Sequence, residues 1–589
     1  MKYKLLLTHL LAAMSVIISF GQESVRNNSE NISVQTPTLN KKLDSMFSSF
    51  DKSTPGVAVT VIQNGKVLAK RSYGLASLEH KVPFKHNSVV RLGYSEGREF
   101  MVIAAVLMEN AGILKLSDKI RKYFPKLPSW AEDVDILDII NHRSGLADEW
   151  DAFLLTQASM GNRVDVSQFL QMLYNQPKPE VDPRKGYMYS NSDYGLLRLI
   201  MEKASGEDLG AWMKKNMFDP LKMHSTVLHS NKEEMLLNRA FNYDRLGDGT
   251  YVVNMNEKTS PGGNYRIATC ANDLEHWAAA HADKNSAIAK AVQRLMTNAT
   301  LIPSFNKAYV HYTFGIKIKE ENDFTTIAHE GVNNYTYLSY IPSKNIAVIL
   351  VSNGEPDYEN YHKAIHLFLL NTTEKLLVNK KFLPSPVRYA PGELKAFTGR
   401  YIDEDTVSFE SYTRQEKNIV HFIMENDSLK VKEDGAPIIR LEYISQNVFK
   451  AAGLDVYFEF HPTPNRLILK THVYPALKVY THHKADIVFW KPSKDLLASF
   501  TGKYYSKHLD YYWTIVEDGE GNLIIKRPTI ADTKIIPDRE NTFLIKIEEY
   551  ASRESPTIGW IRFYTNSNGA VTHLTVSHPR LMHHRFDRL

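Results

Sequence analysis

The sequence is nearly devoid of cysteine. Cys270 is the only one among 589 residues, so the chain can form no internal disulfide and no cysteine-rich metal site. An excess of one charge is also lacking, since 71 basic and 66 acidic residues give a net charge of +5, and no basic block marks a nucleic-acid partner. Hydrophobic residues make up 43% of the chain and charged residues 23%, which is typical of globular proteins and excludes a disordered or polytopic membrane protein.

An apolar stretch at the N-terminus is too short to be a typical membrane span, which needs about 20 apolar residues. It covers residues 5–20, follows Lys2 and Lys4, and ends at Ser19-Phe20-Gly21, which supplies small residues at a cleavage site. This pattern predicts a signal peptide over 1–21 and a flexible N-terminus over 22–38. An uncleaved anchor is the alternative. Because no cysteine follows the cleavage point, a lipoprotein anchor is excluded, and a periplasmic or secreted protein without a stable membrane span is expected.

Residues 39–378 mix helix and strand signals, which predicts an α+β domain. Two β-branched runs flank the turn Asn64-Gly65 and predict a hairpin. The almost continuously apolar run Phe100–Met108 predicts a helix that is buried on all sides. A terminal helix is predicted over Tyr361–Leu377.

The sequence pattern changes after residue 378. After a proline-marked linker at 379–393, short alternating strands with turn signals every 8–12 residues predict small barrels or sandwiches. The sequence Phe-Thr-Gly-Arg-Tyr at 397–401 recurs as Phe-Thr-Gly-Lys-Tyr at 500–504. We therefore expect two copies of one all-β domain, at 394–490 and 491–589.

Three short motifs stand in order within the first domain: Ser95-Glu96-Gly97-Arg98, Tyr189-Ser190-Asn191 and His329-Glu330-Gly331. With their flanks, which include Pro55–Val59, Gly112–Asp118 and Leu137–Leu146, they make the sequence resemble the penicillin-binding-protein-like serine hydrolases, close to class C β-lactamases and D-aminopeptidases. The C-terminal pair resembles the lipocalin-like modules that are often appended to such hydrolases.

The resemblance implies an antiparallel sheet flanked by helices, an all-helical part, and a small-molecule or peptide substrate with no cofactor or metal. By position, Ser95 is the implied nucleophile, Tyr189 the phenol that relays protons, and Asn191 the substrate-binding amide. His329 and Gly331 would meet the substrate from an edge strand, and the backbone N–H groups of Ser95 and Val332 would bind the oxyanion. His142, in a His-x-Ser-Gly-Leu segment, is interpreted as scaffold.

The departure from the family pattern lies in its Ser-x-x-Lys motif. Counting back from Phe100 places Ser95 at the serine and Arg98 at the lysine, whereas counting forward from Arg91 places Tyr94 and Gly97 there. We prefer the first register, because the helix that continues from Phe100 is the more constrained element.

Neither register restores the lysine, and an arginine stays charged at every working pH, so it cannot act as a base. Arg98 could still supply positive potential that favours a phenolate on Tyr189. Two functions stay open: an impaired hydrolase of amides, esters or D-amino-acid peptides that forms a Ser95 acyl-enzyme, and an inactive homologue that binds cell-envelope peptide, glycan or a partner protein. The sequence does not indicate an oligomeric state.

Overall fold

The structure is a computed structural model. It describes residues 36–92, 97–156, 165–229, 235–246, 249–254, 266–297, 310–313, 316–321, 324–330, 336–354, 358–370, 389–403, 419–432, 438–452, 456–462, 467–473, 478–485, 490–527, 530–547, 557–578 and 580–589. This part of the chain contains an α+β domain followed by two closed β barrels.

A seven-stranded antiparallel sheet forms the centre of the α+β domain, in the order β10-β11-β12-β13-β14-β1-β2. Its strands are β1 Val57–Gln63, β2 Lys66–Tyr73, β10 Val310–Thr313, β11 Ile316–Glu321, β12 Phe324–Glu330, β13 Thr336–Ile341 and β14 Ile346–Ser352. Small sheets join the other strands: β3 Leu75–Ser77, β4 Val82–Pro83, β5 Val90–Arg91, β6 Val227–His229, β7 Tyr243–Arg245, β8 Tyr251–Val253 and β9 Arg266–Thr269. The predicted hairpin is present as β1 and β2, and its turn residues Asn64 and Gly65 both have positive φ, at 51° and 71°, as a two-residue hairpin loop requires.

Helices cover both faces of this sheet. They are α1 Thr36–Met46, α2 Arg98–Asn110, α3 Ile120–Tyr123, α4 Ile136–Ile140, α5 Glu149–Leu154, α6 Val166–Asn175, α7 Asn191–Ser205, α8 Leu209–Met213, α9 Ala271–Ala282, α10 Ala287–Thr297 and α11 Tyr358–Leu369. One face of β1, with Ala58 and Ile62, belongs to the apolar cluster of α2 and α9. The opposite face, with Val57, Val59 and Val61, packs with α1 and α11. Because β1 is buried on both faces, all seven of its residues are buried, and five of them are apolar with no polar–apolar alternation.

Each barrel has eight strands in sequential order. After α12 Pro391–Leu394, the first consists of β15 Gly399–Asp403, β16 Ile419–Glu425, β17 Ser428–Lys432, β18 Ile439–Ser445, β19 Val448–Ala451, β20 Val456–Pro462, β21 Leu467–Val473 and β22 Lys478–Ala485. After α13 Lys494–Ser499, the second consists of β23 Gly502–Ser506, β24 Tyr511–Glu517, β25 Leu523–Arg527, β26 Ile530–Arg539, β27 Thr542–Ile547, β28 Thr557–Thr565, β29 Val571–His578 and β30 Leu581–Arg588. Closure leaves neither barrel with an unpaired edge.

The repeated Phe-Thr-Gly-x-Tyr segments have the same structure in both barrels. The hydroxyl of Tyr401 donates to the carbonyl of Phe397 at 3.0 Å, and that of Tyr504 donates to Phe500 at 2.7 Å. The glycine between them has positive φ in both copies, 127° and 147°. The repeat is therefore a barrel-closing corner rather than a functional motif.

The second barrel packs against the helical part of the first domain. Its core residues form one continuous apolar cluster with those of the first domain, whereas the first barrel has a core cluster of its own. The fully buried indole of Trp513 donates to the carbonyl of Leu155 at 2.9 Å, and the amide of Asn175 donates to the carbonyl of Lys507 at 3.2 Å. The second barrel is thus joined to the helices by both apolar packing and directed hydrogen bonds.

The expected fold class is confirmed. Helix α11 spans Tyr358–Leu369, so it begins before the predicted Tyr361, and residues 371–377 of the predicted terminal helix lie outside the described part of the chain. One detail is wrong. The strand that carries His329 is not an edge strand, since β12 pairs with β11 through Phe324–Ala328 and with β13 through Ile327–Glu330. None of the helices in the described ranges combines the length and hydrophobicity needed to cross a bilayer.

We predict that the second barrel loses stability on mild acidification. His508 and His584 are buried in contact, with their Nδ1 atoms 3.2 Å apart. Burial lowers the pKa of His508 to about 4, and burial together with His508 holds the pKa of His584 well below its usual range. Between about pH 6.5 and 4 the unfolded chain therefore binds protons that the folded chain excludes, which costs about 1.4 kcal/mol per pH unit for each histidine.

Chemical unfolding followed by fluorescence at several pH values measures this slope. His508→Gln should make the free energy of unfolding less dependent on pH, whereas the same change at the exposed His276 should leave the dependence as in the unmodified protein. Equal slopes for the two variants would contradict the assignment.

Candidate active site

Helix α7 places the second motif at its first turn. Ser190 is its N-cap and Asn191 its first residue, and a 15-residue helix directs its partial positive charge towards this point. The side chain of Asp148 lies at this helix end. Its Oδ2 accepts hydrogen bonds from the backbone N–H of Asn191 at 2.6 Å and from Nδ2 of Asn191 at 2.9 Å. The side chain of Asn191 is therefore held at a fixed orientation.

Arg98 is the first residue of the largely buried helix α2, and its side chain reaches Asn191. Only 3% of its surface is exposed. Its Nη2 donates to Oδ1 of Asn191 at 2.9 Å. The guanidinium carbon lies 4.3 Å from the ring centroid of Tyr189 and 4.6 Å from that of Tyr194. Three of the predicted site residues, Arg98, Tyr189 and Asn191, are thus brought together.

His142 is part of this cluster rather than distant scaffold. Its Nε2 lies 3.2 Å from Nη1 of Arg98, and its Nδ1 lies 2.8 Å from Oδ2 of Asp193 and 3.3 Å from the backbone nitrogen of Ser190. Burial, with the positive charges of Arg98 and Arg580, holds the pKa of His142 well below its usual range. The imidazole is neutral, and it presents an acceptor to Arg98.

Asp193 completes the chain of contacts behind Arg98. It is fully buried and accepts a short hydrogen bond from the hydroxyl of Ser144. Burial raises the pKa of Asp193 well above its ordinary value, and it outweighs both that hydrogen bond and the charge of Arg98. The neutral form of Asp193 is therefore favoured in this buried position.

Arg580 enters the site from the second barrel, in the segment between β29 and β30. Its Nη1 lies 3.2 Å from Oδ2 of Asp148 and its Nη2 lies 2.8 Å from Oδ1 of Asp151, while its backbone N–H donates to Asp151 at 2.7 Å. The guanidinium carbon is 5.5 Å from the ring centroid of Tyr189. Tyr189 consequently has two guanidinium groups near its ring.

The two aspartates that bind Arg580 are fully buried neighbours at the start of α5. Burial raises the pKa of Asp148, with Arg580 acting against that rise and Asp151 adding to it. For Asp151 burial is again the largest influence, but Arg580 and His578 outweigh it and hold its pKa below the ordinary value. Arg580 is thus the cation that offsets this pair of carboxylates.

The side chains of the other predicted site residues are not described. Ser95, Gly331 and Val332 are not among the described residues, so the proposed nucleophile and oxyanion donors stay predictions. His329 is described only by its backbone, which pairs with Leu338.

Sequence reasoning missed Asp148, Asp151 and Arg580. The aspartates carry a detectable signal, an Asp-x-x-Asp pattern in which Asp148 caps a helix by accepting the N–H of Asp151 at 3.1 Å. Arg580 carries none, since 432 positions separate it from Asp148.

Comparison with known proteins agrees with this arrangement. A family model described as Beta-lactamase matches residues 43–370. Penicillin-binding protein 4* of Bacillus subtilis (strain 168) is 27% identical over 445 residues, which cover 71% of this chain and 93% of that protein. Protein flp of Staphylococcus aureus (strain MRSA252) is 21% identical over 313 residues, which cover 52% of this chain and 60% of its own length.

Among solved structures, the octameric penicillin-binding protein homologue from Pyrococcus abyssi superposes with a TM-score of 0.51 at 20% identity. The match covers 77% of this chain and 100% of that chain. At this identity the likeness concerns the fold. Since the family model spans more than half of the sequence, the chain belongs to the β-lactamase family of penicillin-binding-protein-like serine hydrolases.

Proposed function

We propose that the protein is a serine hydrolase that cleaves an amide, an ester or a D-amino-acid peptide through an acyl-enzyme on Ser95, and that it does so slowly. One observation carries the proposal. The residue at the lysine position of the family motif, Arg98, reaches Oδ1 of Asn191 at 2.9 Å and lies 4.3 Å from the ring of Tyr189. Arg98, Tyr189 and Asn191, to which the proposal assigns positive charge, proton transfer and substrate binding, therefore lie around one point.

The weakness of the proposed reaction follows from the chemistry of the guanidinium. Attack by the Ser95 hydroxyl on an acyl carbon forms a C–O bond, and its proton has to pass to a base before it reaches the leaving group. Arg98 stays protonated and only donates hydrogen bonds. We assign the role of base to the phenolic oxygen of Tyr189, whose ring centroid lies 4.3 Å from the guanidinium carbon of Arg98 and 5.5 Å from that of Arg580. It takes the proton of the Ser95 hydroxyl and passes it to the leaving amine or alcohol as the bond between that group and the acyl carbon breaks. Water then attacks the Ser95 ester, its proton passes to the same phenolic oxygen, and that oxygen returns a proton to Ser95 as the acid product leaves.

A second candidate function is binding without turnover. It is supported by the position of the Asn191 amide, whose Oδ1 faces Arg98 and whose Nδ2 faces Asp148. An amide held on both sides within the protein has less hydrogen-bonding capacity left for a substrate. In this case the cleft would hold a cell-envelope peptide, a glycan or a partner protein.

Export belongs to the same proposal. Residues 1–21 would act as the signal peptide, which puts the mature chain in the periplasm or outside the cell. The domain boundaries are likewise proposals: a hydrolase domain over 39–378, a linker over 379–393, and β domains over 394–490 and 491–589.

We predict that a fluorophosphonate or a β-lactam forms one covalent adduct, on Ser95, because an activated serine hydroxyl attacks either reagent. Intact-mass spectrometry followed by peptide mapping measures it. Ser95→Ala should abolish the adduct, and the same change at the buried Ser88 should not. A protein that is not labelled, yet binds a cell-wall peptide by calorimetry, would favour the binding function instead.

We predict that Arg98→Lys accelerates turnover of a chromogenic ester or D-amino-acid amide. A lysine amine can lose its proton when it is partly buried beside another cation, and a positioned base contributes about 10²–10⁴-fold. We expect a gain in kcat of about 10²-fold, at the lower end of that range, because the amine cannot keep both contacts of the guanidinium.

Arg98→Met is the matched control, since methionine is unbranched and close in length to lysine but has neither charge nor hydrogen-bond donors. Its turnover should fall below that of the unmodified protein. A loss of turnover in Arg98→Lys as large as in Arg98→Met would contradict the assignment of Arg98 as a lost base.

A further inference from the structure

We propose that Arg580 of the second barrel is a positioning residue of the active site, which holds Asp148 so that Asn191, and through it Arg98 and Tyr189, keep their arrangement. The effect of an Arg580 substitution on the reaction rate rests on the proposed function. Its effect on the positions of Asn191, Arg98 and Tyr189 does not, and a separate experiment measures each effect.

The first step is electrostatic. Asp148 and Asp151 are both fully buried at the start of α5. Two buried carboxylates at this spacing repel each other, and each is stripped of water. Arg580 contacts both with separate nitrogens, at 3.2 Å and 2.8 Å. Without that guanidinium, one of the carboxylates would have to take up a proton or move towards solvent.

The second step links Asp148 to Asn191 and Arg98. Oδ2 of Asp148, the oxygen that Arg580 contacts, is also the acceptor for both N–H donors of Asn191. A displaced or protonated Asp148 would release the Asn191 amide, whose Oδ1 is the acceptor for Arg98. A change at position 580 therefore reaches Arg98 through two side chains.

The third step is direct. The guanidinium of Arg580 lies 5.5 Å from the ring centroid of Tyr189, within the range of a cation–π contact. The ring of Tyr189 thus has Arg98 from the first domain and Arg580 from the second barrel beside it.

The second barrel is built to hold Arg580 in place. The neighbouring backbone N–H of Met582 donates to Glu180 at 2.8 Å, and Nδ1 of His578 lies 2.8 Å from Asp151. Together with the Trp513 hydrogen bond and the shared core, these contacts fix the barrel at the helices that form the site. We infer that the barrel is part of the active unit rather than an appended module.

A fluorine label on tyrosine tests the arrangement without turnover. The full chain is produced with 3-fluorotyrosine, and Tyr189→Phe identifies the ¹⁹F signal of residue 189. In Arg580→Lys, whose single ammonium cannot bridge both aspartates as a guanidinium does, this signal should shift. Asn175→Ala removes a hydrogen bond elsewhere in the same interface and should leave the signal in place.

Kinetics test the consequence for the reaction. Arg580→Lys should lower kcat about tenfold for the chromogenic ester with a smaller change in KM, and Asn175→Ala should match the unmodified protein. If Arg580→Lys does not fold, the double variant Arg580→Met with Asp151→Asn removes one charge of each sign and serves in its place.

The outcomes separate the two proposals. A folded position-580 variant whose Tyr189 signal stays at its original frequency, or whose kcat equals that of Asn175→Ala, overturns the role of Arg580. A protein that neither turns over nor is labelled at Ser95 overturns the hydrolase function alone, and the fluorine signal then still decides the role of Arg580.

Discussion

Burial of charge at the start of helix α7 is the constraint on which the rest of the site depends. Arg98, Asp148, Asp151 and Asp193 are at most 3% exposed, and taking such groups out of water is costly unless each finds partners. The structure meets this cost in two ways. Asp148 and Asp151 are offset by Arg580, whereas Arg98 faces an amide oxygen, a neutral imidazole and two aromatic rings. The site is therefore one charge network supplied by two domains.

The same constraint explains why the two barrels differ although their sequences repeat. Both close by the same tyrosine corner, at Tyr401 and Tyr504. Only the second shares its apolar cluster with the first domain, and it is the second that presents Arg580 to the helices. The two barrels thus share one architecture, and Arg580, between β29 and β30, is a residue through which the second barrel contacts the candidate site.

Short sequence patterns predicted most of the fold. Asn64-Gly65 between β-branched runs predicted the hairpin, and the apolar run from Phe100 predicted the buried helix, because turn chemistry and hydrophobic continuity act over a few residues. The edge strand was wrong, since strand order depends on partners that are distant in sequence. Within the site, the motifs identified Arg98, Tyr189 and Asn191, which the structure brings together. They missed His142 as a neighbour of Arg98, and nothing near position 580 marks it as a partner of Asp148.

The presence of a guanidinium at position 98 is consistent with this network in a way that an amine would not be. A planar fork donates in two directions at once and stacks on aromatic rings, and Arg98 uses these properties towards His142, Asn191, Tyr189 and Tyr194. A lysine would supply one compact ammonium and could not reach His142 and Asn191 from two separate nitrogens. Contacts within this cluster favour a charged side chain at position 98, whereas proton transfer requires a side chain that can lose its proton. The more contacts a cation makes with buried acceptors and rings, the more strongly its charged form is favoured, and the less it can act as a base. Under the proposed function, Arg98 therefore stabilises the arrangement of this cluster at the expense of the base that a lysine would supply, and the proposed reaction takes its base from the phenol of Tyr189, which lies beside both guanidinium groups.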